Sequence, residues 1–129
     1  VFTEPLAAAF EILDQVADVS GARAAVLGDG KLGLLVAQVL AQAGARVVLA
    51  GRHPEKLARA ARLGIATGEP PAGADLVVDA TGAPSGLPTA LSLVRPRGTV
   101  VLKTTVAAKH EVDLAPAVIN EAFRQQERQ

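Results

Sequence analysis

Cysteine, methionine, tryptophan and tyrosine are all missing from the 129 residues, and the aromatics are reduced to Phe2, Phe10 and Phe123. Without cysteine the chain can form neither disulfides nor thiolate metal ligands. Without tyrosine it cannot run a Tyr/Lys proton relay. An excess of one charge is also lacking: 13 Lys plus Arg balance 13 Asp plus Glu, for a formal net charge of zero. Nothing in that balance favours nucleic acid or an anionic membrane as a partner. No apolar run approaches the ~18–20 residues of a membrane span, and no basic start leads into an apolar signal segment. A cytoplasmic location is therefore the expectation. The sequence begins Val1-Phe2-Thr3 without an initiator methionine, and the chain is expected to be a piece of a longer protein.

What is present is a small-aliphatic chain. Half of it is hydrophobic, dominated by Ala, Val and Leu, which suits a parallel sheet covered by closely packed helices. The length fits one domain around one core. Apolar residues Leu6, Phe10, Leu13 and Ala17 recur at helical steps after Pro5, predicting a helix before the first strand. A buried strand is expected over 23–27, a helix after Gly33, and a stop at Gly44. A second strand follows over 46–50, then a helix from Pro54 to Leu63 with His53 as its cap and Gly64 as its stop. A short third strand is expected over 65–67 and a fourth, apolar on both faces, over 75–80. A helix within 84–94 tolerates Pro88 only in its first turn. Arg95-Pro96-Arg97-Gly98 reads as a turn before a fifth strand over 99–102. Strand–helix alternation predicts a Rossmann-type α/β fold: a doubly wound parallel sheet in three αβα layers, order 3-2-1-4-5. The expected domain spans 1–120, with a short helix over 113–120 and a polar tail over 121–129.

The stretch "VLGDGKLGLLVAQVLAQAGARVVLAGRHPEKL", residues 26–57, holds the most specific local signal. Gly28-x-Gly30-x-x-Gly33 lies between a predicted strand and a predicted helix, which is the context that makes this pattern a dinucleotide-binding signal. Gly28 permits the tight turn, Gly30 leaves room for a pyrophosphate, and Gly33 lets helix and strand approach. Backbone N–H groups at Lys31 and Leu32 would face the phosphates at the positive end of the helix. About 20 residues on, such sites carry an acid for the adenosine ribose. Here Ala50-Gly51-Arg52-His53 stands instead, and the next carboxylate is Glu55. A small residue followed by arginine leaves room for a 2′-phosphate and supplies its cation. NADP is thus the expected cofactor, with NAD possible, since a loop arginine can also be a solvated charge.

The remaining chemistry-bearing residues are sparse. His53 and His110 lack metal-ligand spacing, and His53 reads as a helix cap beside the cofactor. Ser20, Ser85 and Ser92 lack a nucleophile-elbow context. Lys103 and Thr104 end the fifth strand at the sheet's carboxyl edge, where a nicotinamide would sit; a solvated strand-end lysine is an equal reading. No catalytic residue and no metal ligand is assigned to this chain.

Three stretches, "EPLAAAFEILDQV" (4–16), "VLGDGKLGLLVAQVLAQAGARVV" (26–48) and "DLVVDATGAPSGLPTALSLVRPRGTVVLKTTV" (75–106), resemble the cofactor domain of zinc-type medium-chain dehydrogenases/reductases, nearest the alcohol, threonine and polyol dehydrogenases. The resemblance runs to about Asn120. It implies a parent enzyme with a separate catalytic domain, absent here, whose zinc polarises an alcohol or carbonyl oxygen while hydride passes to or from the nicotinamide. By family position, Gly28, Gly30, Lys31, Leu32 and Gly33 would meet the pyrophosphate and Arg52 the adenosine end. Thr81, Gly82, Lys103 and Thr104 would lie near the ribose and nicotinamide. Glu4 matches a family glutamate that lies near zinc in some members; as a helix N-terminal acid it has an equally good local reason. The family continues past Glu121 into a sixth strand that commonly pairs subunits. Here "AFRQQERQ" stands there, which leaves a homo-oligomer open.

The leading expectation is an NADP(H)-binding domain that binds cofactor weakly and catalyses nothing by itself. A stand-alone, non-catalytic dinucleotide-binding or regulatory module is the alternative. A methyltransferase-like domain would need an acid where Gly51-Arg52 stands.

Overall fold

The computed structural model describes residues 19–103. Their elements run β1 (Arg23–Leu27), α1 (Lys31–Gln42), β2 (Arg46–Ala50), α2 (Pro54–Arg62), β3 (Ala66–Thr67), β4 (Ala74–Asp79), α3 (Gly86–Leu93) and β5 (Val94–Leu102). All neighbouring strands are parallel, and the sheet order is β3-β2-β1-β4-β5. The Rossmann-type architecture expected from the alternating pattern is the one the chain adopts. The expected helix before β1, the 113–120 helix, the polar tail, all three phenylalanines, Glu4, Thr104 and His110 lie outside the described residues.

Successive strand residues point to opposite faces, and β1 divides its apolar residues between two clusters. Ala24 and Val26 pack with Val36, Ala37 and Leu40 of α1 and Ala60 of α2. Ala25 and Leu27 pack with Ala90 of α3. Helices therefore cover both faces, which is why β1 and β4 read as continuous apolar runs rather than as alternating ones. Leu40, Leu49 and Leu76 are fully buried. Truncating any of them to Ala would cost about 2–5 kcal/mol.

Helix boundaries follow local chemistry. Pro54 occupies the first turn of α2, Glu55 complements its N-terminus, and Arg59 and Arg62 complement its last turn. Gly44 and Gly64 take positive φ just past α1 and α2, as left-handed helix stops do. Pro88 sits in the first turn of α3, where its missing N–H leaves no helical bond unmade.

One expectation needs correction. β5 starts at Val94, not at Thr99, so Arg95–Gly98 lies within the strand. Ala74 pairs with Val94, but Leu76 pairs with Thr99. The intervening residues bulge outward, with Arg97 at φ 67° and Arg95 Nε donating to the Asp75 carboxylate. The turn-forming composition is real; pairing on both sides of it absorbs the turn into the strand as a bulge. Among the described residues no helix is long and apolar enough to cross a membrane.

Candidate functional site

Four strands end in register. Leu27 faces Ala50 on one side and Asp79 on the other, and Asp79 faces Leu102. Backbone bonds carry each ladder one step further. Gly28 N–H donates to the Ala50 carbonyl, Ala80 N–H to that of Leu27, and Lys103 N–H to that of Asp79, each at 2.8 Å. The loops leaving this edge hold most of the residues singled out in the sequence: Gly28 to Gly33, Gly51 to His53, Thr81 and Gly82, and Lys103. The strand order reverses between β1 and β4, and doubly wound sheets bind ligands at such a switch point.

The three glycines of the loop are required for different reasons. Gly28 has φ 111°, and a Cβ there would lie 2.8 Å from the Ala80 carbonyl oxygen. A Cβ on Gly33 would run into the Gly28 carbonyl, so helix and turn are in backbone contact. A Cβ on Gly30 would meet nothing within 4 Å. Gly30 is the N-cap of α1, bringing no side-chain cap bond and followed by no acid in the first turn. Open space thus lies against a helix end whose first N–H groups have no intrahelical acceptors, as a pyrophosphate would require. The residues present fit a dinucleotide. Lys31 is exposed, whereas the Leu32 side chain is half-buried against the core, so Leu32 can offer a ligand only its main chain.

A residue not singled out in the sequence organises the loop that follows β2. Asp29, the variable residue between Gly28 and Gly30, is buried. His53 N–H donates to its Oδ2 at 2.7 Å, and His53 Nδ1 lies 2.9 Å from its Oδ1. Burial pushes the Asp29 carboxyl up, but the His53 side-chain bond, main-chain bond and charge together outweigh it and hold the group below the usual range. A Cβ on Gly51 would overlap this carboxylate. The small residue at 51 thus has a cause inside the protein, besides any room it leaves for a ligand. His53 is indeed the N-cap of α2, but its side chain makes no cap bond; Asp29 has claimed it. Arg52 is exposed and has no hydrogen-bond or ion-pair partner among the described residues.

At the end of β4, Asp79 is buried. Thr81 donates to its Oδ1 twice, from the backbone N–H at 3.0 Å and from the hydroxyl at 2.6 Å. The Thr81 oxygen in turn accepts from Ala83 N–H at 3.1 Å. The Thr81 hydroxyl proton is therefore committed to the turn, and Gly82 follows at φ 69°. A Cβ on Gly86 would strike the Asp79 carboxylate.

A cavity of about 500 Å³ opens elsewhere, at the strands' starts, walled by Arg23, Ala25, Arg46, Val48, Pro70 and Pro71 among others. Among the described residues that line it, Arg23 and Arg46 are the titratable ones, and it is at the far edge from the glycine loop. The carboxyl edge, with its open helix end, is the better candidate. Among the described residues no group of three or more His, Asp or Glu is placed to hold a metal ion.

The parallel five-stranded sheet and its glycine loop define a Rossmann-type α/β domain. The model of the zinc-binding dehydrogenases matches residues 32–123, and the chain belongs to that family. Among solved structures it is similar to an alcohol dehydrogenase from Thermus sp. ATN1, at 27% identity and TM-score 0.70, over 97% of this chain and 48% of that one. It is also similar to a candidate zinc-binding dehydrogenase from Sinorhizobium meliloti 1021 bound to NADP, at 25% identity and TM-score 0.72, over 98% and 47%. L-idonate 5-dehydrogenase from Escherichia coli, at 23% identity and TM-score 0.74, shares the fold over 98% of this chain and 44% of that one. The chain spans about half the length of these proteins.

Proposed function

We propose that this chain is the NADP(H)-binding portion of a zinc-dependent, alcohol dehydrogenase-like oxidoreductase. The observation that carries the reading is the glycine loop: Gly28 and Gly33 are locked by backbone contact while Gly30 alone faces open space at the end of α1. In this reading the main chain from Gly28 to Gly33, including Lys31 and Leu32, receives the pyrophosphate. Gly51, Arg52 and His53 border the adenosine ribose, and Arg52, with no partner among the described residues, offers its planar guanidinium to a 2′-phosphate. Thr81, Gly82 and Lys103 lead toward the nicotinamide. When bound, the dinucleotide supplies hydride exchange with an alcohol or carbonyl. A zinc held by the rest of the longer protein would act on the substrate oxygen. The chain's own part is to bind the cofactor and orient it. Similarity to a solved relative bound to NADP supports this, as does the chain's spanning half of its relatives.

The test is parallel titration of the full-length protein with NADPH and NADH, repeated on Arg52→Ala. NADPH is expected to bind at least ~10-fold tighter, about 1.4 kcal/mol, with Arg52→Ala losing that margin. Equal binding of both would discard the Arg52 assignment. Binding of neither would discard the cofactor reading.

A further inference from the structure

We infer that Asp29 and His53 form a carboxylate–imidazole pair that sets the cofactor preference of this edge: His53 is a second specificity-determining residue beside Arg52, and Asp29 is its positioning residue. The inference rests on the proposed dinucleotide site and names a device within it.

The geometry begins with the carboxylate. An ionised Asp29 only accepts hydrogen bonds. Its Oδ2 takes the His53 main-chain N–H and its Oδ1 faces Nδ1, so Nδ1 carries a proton in either charge state of the ring. Nε2 is therefore the atom that changes. It is a lone-pair acceptor on neutral imidazole and an N–H donor on imidazolium. The His53 side chain is 52% exposed while that of Asp29 is 7% exposed. Nε2 has no partner among the described residues. The buried carboxylate fixes one side of the ring and leaves the other side free beside Arg52.

The charges give the consequence. Asp29 is the titratable group that meets the ring from the β1–α1 loop. Arg52, Glu55 and Lys56 flank it on its own segment. Neutral His53 leaves Arg52 and Asp29 as opposite charges at the end of β2, and Nε2 can accept from a 2′-hydroxyl. Protonated His53 adds a cation and a donor, and both suit a 2′-phosphate. Preference for NADPH over NADH should therefore grow as pH falls through the imidazole titration.

The experiment measures both dissociation constants on the full-length protein at pH 6 and pH 8.5, for the unsubstituted chain, His53→Gln and Asp29→Asn. The 2′-phosphate has its own ionisation near pH 6, but this acts alike on all three chains. At pH 6 the NADH-to-NADPH ratio of dissociation constants is expected to be about fivefold larger in the unsubstituted chain than in His53→Gln; at pH 8.5 the two should agree within about twofold. Asp29→Asn should lose the same excess at pH 6 as His53→Gln, keeping only the pH dependence that the 2′-phosphate itself brings. Its amide can still accept from His53 N–H but presents N–H₂ to Nδ1, which favours the opposite, neutral tautomer. Imidazole ¹⁵N shifts should report the Nδ1–H tautomer in the unsubstituted chain without cofactor, and its loss in Asp29→Asn. If both cofactors bind and the ratio moves with pH equally in all three chains, the pair has no such role and the cofactor site stands. If neither cofactor binds the unsubstituted chain, both readings fall.

Discussion

The two buried acids of the described residues, Asp29 and Asp79, stand at neighbouring positions on one sheet edge and use the same construction to different ends. Each follows the apolar run of a central strand, lies against a glycine of another segment, and accepts a backbone N–H together with a side-chain group. Asp79 is served by Thr81, two residues on, and presses on Gly86 at the start of the next helix. This is a local clasp that shapes one turn, and its partner has nothing to titrate near neutral pH. Asp29 is served by His53, 24 residues away, and presses on Gly51. That is a tie between two loops, and its partner brings an imidazole where Asp79 has a hydroxyl. The same carboxylate–glycine device closes a single turn in one place and joins two loops in the other.

The glycines offer the largest effects with which to probe that contrast. Gly86→Ala places a methyl against the Asp79 carboxylate at the buried first position of α3. It is expected to lower stability by ~3 kcal/mol in urea unfolding. Gly51→Ala makes the corresponding clash in an exposed loop that can give way, and ~1 kcal/mol is expected. Equal costs would mean that the two carboxylates are held with equal rigidity, and the contrast would fail.

Smaller effects come from the partners. A double-mutant cycle on Asp79→Ala and Thr81→Val should give a coupling of ~1–2 kcal/mol that is the same at pH 6 and pH 8.5. The cycle on Asp29→Ala and His53→Ala should give under ~1 kcal/mol, since His53 is half exposed, and should shrink as the imidazole loses its proton. A pH-independent Asp29–His53 coupling would remove the distinction between tie and clasp.

Acid gives the smallest and most diffuse signal. Asp29 is held below the usual carboxylate range by His53. So is Asp75, first by the Arg23 main-chain bond and then by Arg95. A depressed folded-state value contributes stability that is present above the ordinary value of 3.8 and disappears as pH falls through the folded one. The unfolding midpoint should therefore drop below about pH 4. Asp29→Asn should flatten that drop, whereas Asp75→Asn, at a more exposed site, should change it less.

Much of this edge was legible in the sequence. Strand–helix alternation gave the sheet order, because a parallel crossover admits few topologies. The need for glycine at 28 and 33 was readable because each answers to backbone geometry, which a short pattern specifies. Asp29 was not legible. It occupies the variable position of the pattern, and its partner is fixed by the β1–β2 pairing that sets two loops side by side. The spacing that could have exposed it is the coincidence of an acid in the first loop with a histidine two residues after a small residue at the end of β2. Gly51 was read toward a ligand alone, because only the fold shows the carboxylate beside it. Arg95–Gly98 was read as a turn because composition reports local curvature but not the pairing on either side.

That bulge has a consequence for how the edge strand finds its place. Leu76, Val77, Val78, Val100 and Val101 are buried on both faces of the sheet, so sliding β5 by one residue would exchange one aliphatic side chain for another. Inside-out alternation, which normally penalises a slip, is absent. The misfit between one residue of β4 and four of β5 cannot be carried along the strand. Its Gly98 lies against Val94 and the Asp75 carbonyl, and its Arg95 is tied to Asp75. An irregularity that interrupts the ladder thereby acts as the index mark that makes a single alignment of two interchangeable strands the native one.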